Sequence, residues 1–143
     1  MSQTLRKVPI KSLKQGPIRH QTLSKALLTR IQQIYSAIGP YCGCPDLETW
    51  ADGFRRDTHP ENEVDLWEST SRAFTQFTQI RSLSPQAYRE VFKTLVMGMT
   101  CDAETIMKHL LSLNHISPHE ARDLIRIQAR IYDEIRWDRL TAN

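Results

Sequence analysis

The stretch PENEVDLWESTSRAFTQFTQI, residues 60–80, decides the fold. Pro60 suits the first position of a helix, where its missing N–H leaves no hydrogen bond unmade. Beyond it, Leu66, Trp67, Thr70, Ala73, Phe74, Phe77 and Ile80 recur at three- and four-residue spacing. That is the period of one helical face. The face is broad and rich in aromatic rings, which marks this segment as the central core helix. Glu61 and Glu63 fall in its first turn, where anions complement the positive end of a helix dipole.

Working outward toward the C-terminus, two starts share one signature. Ser84-Pro85 and Ser117-Pro118 each place a serine cap before a proline at the first helical position. Ser117 also has Glu120 three residues on, the pattern of a capping box. The helix after Ser84 carries Tyr88, Val91, Phe92, Leu95, Val96 and Met99 inward. The helix after Ser117 carries Ala121, Leu124, Ile125, Gln128, Ile131, Ile135 and Leu140. Between them Asp102 caps a shorter helix with Ile106, Met107, Leu110 and Leu111 on its apolar side. The 33-residue interval from Ser84 to Ser117 is close to the period of helical repeats, but the residues between match no repeat pattern.

Toward the N-terminus, Asp46 caps a short helix with Leu47, Trp50, Ala51 and Phe54 on one side and a weakening Gly53. Before it, Leu23, Leu27, Ile31, Ile34 and Ile38 form a stripe on a helix starting near Thr22 or Ser24. Gly39-Pro40 is expected to end that helix. No stretch alternates apolar and polar residues as a strand does. The expected fold class is all-α: a single-domain bundle of about six helices over residues 20–143, behind a basic, flexible arm at residues 1–19.

Composition agrees. The 143 residues fit one domain, with 40% hydrophobic and 24% charged side chains. No apolar run reaches the roughly 18 residues of a membrane-spanning helix. The N-terminal residues lack the apolar stretch of a secretion signal, so a cytoplasmic location is expected. Three cysteines in such a chain argue against a disulfide framework. The net charge of +3 is unevenly spread. Residues 1–45 hold seven Lys and Arg and no acid, whereas the remaining 98 hold 12 Lys and Arg against 16 Asp and Glu, a net of −4. A basic segment of this kind binds polyanions or an acidic protein surface, or simply remains solvated.

Three constellations could carry function. The first is GPYCGCPD, residues 39–46. Cys42 and Cys44 form one CxC pair, whereas a structural zinc site takes four ligands, usually as two close pairs. Cys101 and His59 are the nearest candidates to complete it, with His109, His115 and His119 behind them. CxC also lacks the two-residue spacer of redox CxxC motifs. The plainer account is a turn, with Gly43 for freedom and Pro45 for stiffness. The second is WADGFRRDTHPENEVDLWE, residues 50–68, the densest cluster of charge, aromatic and imidazole groups in the chain. Helix electrostatics explain much of it, since Arg55 and Arg56 sit at one helix end and Glu61 and Glu63 at the next start. An exposed corner with Trp50, Arg55, Arg56, Asp57 and His59 also suits a protein interface. The third is a stripe of Arg122, Arg126 and Arg130 at four-residue spacing on the last helix, suited to phosphates or to a solvated face.

Phosphate-binding glycine loops, nucleophile elbows and paired Glu-x-x-His motifs are absent from the sequence. The expectation is therefore a non-catalytic adaptor or accessory subunit, binding a protein partner through Trp50, Arg55, Arg56, Asp57 and His59. It needs no cofactor and does not act on a membrane. A second expectation is a nucleic-acid-associated protein, contacting phosphates through Arg6, Lys7, Lys11, Lys14 and Arg19 of the arm and through Arg122, Arg126 and Arg130. A third is a zinc-dependent helical protein using Cys42, Cys44, His59 and Cys101.

Overall fold

A computed structural model describes residues 21–142. Among these the chain forms α1 (Lys25–Cys42), α2 (Leu47–Arg55), α3 (Pro60–Ile80), α4 (Pro85–Met97), a 3-10 turn (Gly98–Thr100), α5 (Ala103–Ser112) and α6 (Pro118–Thr141). Among the described residues there is no strand, and the fold is all-α, as the sequence predicts. The predicted arm at residues 1–19 lies outside the described residues. No helix among them is long and apolar enough to cross a membrane.

Five helices start on a local side-chain cap. Ser24, Asp46, Ser84, Asp102 and Ser117 each accept the backbone N–H three residues on. Ser117 and Glu120 complete the predicted capping box. Each cap satisfies a donor that the helix itself cannot, which is why short polar residues at these positions set the boundaries.

The chain divides after Val64 into two compact units. In the first, α1 packs against α2. Leu27, Ile31, Ile34 and Ile38 of α1 are buried, with Ala51 and Phe54 of α2. The helix does not stop at Gly39-Pro40; it continues through Pro40 to Cys42. Proline removes one hydrogen bond and crowds the Cβ of the residue before it. That residue is Gly39, so the part of the crowding that would fall on a Cβ is missing. The left-handed terminating position falls instead on Gly43, at φ 71°. Gly53 sits inside α2, where a methyl group would meet nothing within 4 Å among the described residues. Gly53→Ala is therefore expected to stabilise the protein by about 0.5–1 kcal/mol, read as a higher urea midpoint.

The second unit is built on α3, α4, α5 and α6. Phe74 lies at its centre, 1% exposed, edge-on to Phe92 at 5.2 Å and to Tyr88 at 6.3 Å between ring centroids. α5 packs against both α4 and α6. Helices α3 and α6 run antiparallel. Arg81, just beyond α3, bonds Glu120 in the first turn of α6 at 2.9 Å. Asp65 near the start of α3 meets Arg139 near the end of α6 at 2.8 Å. Between these ends Gln128 donates to Ser69 Oγ at 3.1 Å.

Two expectations about apolar faces need correction. Ile80 is 78% exposed and Leu140 62% exposed, because each lies in the last residues of its helix, past the neighbours that cover the preceding turns. The buried side of α3 is also more polar than its spacing suggests: Asp65, Ser69, Thr70 and Ser71 are all buried, while Leu66 and Trp67 are half-buried. Gly98 explains the 3-10 turn. A side chain there would come within 2.5 Å of Ile106 Cγ1 and 3.1 Å of its Cβ, so only glycine lets the turn close onto α5.

Candidate functional site

The corner between α2 and α3 gathers the five residues singled out for partner binding, all within the first unit up to residue 59. α2 ends at Arg55, and Arg56 is its C-terminal cap. Asp57 N–H donates to the Phe54 carbonyl at 3.1 Å. The Asp57 carboxylate then accepts the His59 N–H at 3.2 Å. The His59 carbonyl receives the Asn62 N–H at 3.1 Å and starts α3. Asp57 therefore works as a turn-former that hands the chain from one helix to the next.

Trp50 is half-buried between two rings. Tyr35 of α1 lies 5.4 Å from it and Phe54 4.9 Å, the latter edge-on. Tyr35 donates its hydroxyl to the Cys44 carbonyl at 2.9 Å, which ties the α1–α2 turn to the same stack. Arg55 bonds Asp52 at 2.7 Å and reaches Glu48 at 3.5 Å along its own helix face. Two acids thus compensate Arg55 locally. Arg56 and His59 are exposed.

A contact the sequence did not signal joins this corner to the chain before α1. Gln21 N–H donates to the Arg55 carbonyl at 3.0 Å, and the Gln21 side-chain amide donates to the Asp57 carbonyl. Leu23 is buried next to them in sequence. A polar residue 36 positions from its partner has no local pattern to betray it. Residue 21 is thereby fixed at the corner. Arg6, Lys7, Lys11, Lys14 and Arg19 themselves lie outside the described residues.

The cysteines divide between the units. Cys42 ends α1 and Cys44 follows the glycine turn, while Cys101 lies exposed after the 3-10 turn. Burial, reinforced by the neighbouring Cys44, pushes the Cys42 thiol up to about 11. Cys44 turns its S–H toward the Asp46 carbonyl at 3.7 Å. The Thr49 N–H bonded to Asp46 holds that carboxyl below its usual range. Among the described residues no group of three or more His, Cys, Asp or Glu side chains is placed to hold a metal ion. A thiol with a raised pKa is neutral at pH 8 and a poor nucleophile. In a thiol titration at pH 8, Cys101 is expected to react first and Cys42 last, becoming reactive only on unfolding. The raised value also means that Cys42 contributes to stability below pH 9, a contribution lost as pH rises toward 11.

On α6, Arg122, Arg126 and Arg130 are exposed on one face, as their spacing predicts. Arg126 pairs with Asp123, and Arg130 lies 3.8 Å from Glu134. Arg122 has no ion-pair partner among the described residues. His119 reaches Asp123 at 3.2 Å. His115 instead bonds Glu90 at 2.7 Å, and that bond is the main reason the Glu90 carboxyl lies below its usual range. Comparison with protein-family models, with curated proteins and with solved structures finds no match to this chain.

Proposed function

We propose that the protein is a non-catalytic adaptor or accessory subunit of the cytoplasm that binds an acidic protein partner. Its surface combines the α2–α3 corner with the basic segment that precedes residue 21 in sequence. The observation that carries this reading is the pair of Gln21 bonds to Arg55 and Asp57, which fixes residue 21 at the corner, and the residues before it in sequence hold five Lys and Arg and no acid. Arg56 and His59 stand exposed at the corner, and the Tyr35–Trp50–Phe54 stack gives it a rigid base. Rigid aromatic anchors ringed by charge suit an interface hot spot.

The test compares three full-length proteins in their native host: wild type, Arg56→Glu with His59→Glu, and a chain with Arg6, Lys7, Lys11, Lys14 and Arg19 changed to Gln. One protein is expected to copurify with wild type, with retention falling about tenfold or more in each variant, the size of a hot-spot loss. Nuclease-sensitive capture that collapses with salt would favour the nucleic-acid reading instead. Capture indifferent to both sets of substitutions would remove the corner from the account.

A further inference from the structure

Among the described residues the outer face of α6 is exposed along its length and ends in two large apolar side chains. Trp137 is 68% exposed and Leu140 62%. Tryptophan is seldom left in water to that extent, and adjoining exposed apolar residues mark contact surfaces. They continue the line of Arg122, Arg126 and Arg130, because residues three and four apart share a helical face. The charges on this face are unevenly placed. Arg122 and Arg126 lie in its N-terminal half, Arg130 just past its middle and Asp133 in its C-terminal half, all exposed.

We propose that this face is a docking surface for a second copy of the chain, with two α6 helices side by side and antiparallel. The sequence is self-complementary about the point between Ala129 and Arg130. In that register Arg126 of each copy lies opposite Asp133 of the other, twice per pair. Arg122 lies opposite Trp137, where a guanidinium stacks on an indole face. His119 lies opposite Leu140. Ala129, the small exposed residue of the face, falls at the centre, where the two backbones approach most closely. A two-fold axis through that centre makes the contact isologous, so it closes at two copies and does not propagate. The ion pairs that Arg126 and His119 make with Asp123 are exposed and worth little, so exchanging them across the axis meets no real barrier. Antiparallel helices crossing at about 20° stay in contact over several turns, which suits a face of this length. One helix pair buries less than about 1,200 Å², so the dimer is weak and reversible. This inference does not depend on the proposed adaptor role, since none of its residues lies in the corner.

Sedimentation equilibrium of the full chain over roughly 10 µM to 1 mM, the range a small interface requires, tests it. The average mass is expected to rise toward twice the monomer mass. Arg126→Asp alone and Asp133→Arg alone each set like charges opposite one another and should weaken association about tenfold or more. The double swap, Arg126→Asp with Asp133→Arg, restores the pairing and should return to within about threefold of wild type. Trp137→Ala should weaken association without changing helix content by circular dichroism. A monomer at every concentration overturns the proposal. So does association that survives the single swaps, or a double swap that stays as weak as the singles. A monomer that instead binds a single-stranded oligonucleotide through this face also overturns it.

Discussion

Replacing Arg139 with alanine is expected to lower the stability of the folded protein by about 3 kcal/mol, the lower end of the cost of breaking a buried ion pair. Asp65 is completely buried, and its Oδ2 accepts from Arg139 Nε at 3.0 Å and from Nη2 at 2.8 Å. Removing the guanidinium leaves the carboxylate out of water without its main cation. Arg136 lies near enough to feel Asp65, after its stronger interaction with the Tyr132 hydroxyl, and this second cation keeps the loss at the lower end. Urea unfolding should show a lower midpoint at an unchanged slope, the mark of lost stability without altered compactness. The partner experiment separates pairing from packing. Asp65→Leu with Arg139→Met removes both charges, and its stability should lie near wild type or above. A double variant as unstable as Arg139→Ala would show that the side chains matter for shape and not for charge.

The second large effect is expected at Phe74. Truncation to alanine removes a ring that is 1% exposed and edge-on to both Phe92 and Tyr88. Losses of about 3–5 kcal/mol follow from the missing transfer energy and the cavity left behind. Phe77→Ala should cost less, because Phe77 meets Tyr88 at 6.4 Å, a longer ring contact than the 5.2 Å between Phe74 and Phe92. Thermal unfolding of the two variants side by side orders them. Equal losses would mean that the core collapses around either gap and that Phe74 is not its centre.

These two sites also show where the sequence was legible. The aromatic face of residues 60–80 identified Phe74 directly, since helical spacing is a local property. The helix starts were legible for the same reason: Ser24, Asp46, Ser84, Asp102 and Ser117 act on a donor three residues away. Asp65 and Arg139 were not legible as partners, being 74 residues apart, and each reads in sequence as a solvated charge. The end of α1 was misplaced because a proline costs a helix a hydrogen bond and some crowding without always ending it, and Gly39, lacking a Cβ, lessens the crowding here. At the corner, residue types and spacing located Trp50, Arg55, Arg56, Asp57 and His59. They did not show that Asp52 and Glu48 compensate Arg55, or that Tyr35 and Gln21 arrive from elsewhere to build the corner. Exposure at Trp137 and Leu140 depends on where neighbouring helices stop, which no periodicity encodes.

The claim on which the functional account rests is that the corner and the basic segment preceding Gln21 in sequence act as one binding surface. Site-specific photo-crosslinking tests it most directly, with a benzophenone side chain at position 56 in the full-length chain and a control at exposed position 93 on α4. The account predicts a single protein adduct from position 56. That adduct should be missing from position 93 and should disappear when Arg6, Lys7, Lys11, Lys14 and Arg19 are changed to Gln. The same adducts from both positions, or an adduct at position 56 that persists without the arm's charges, would contradict it.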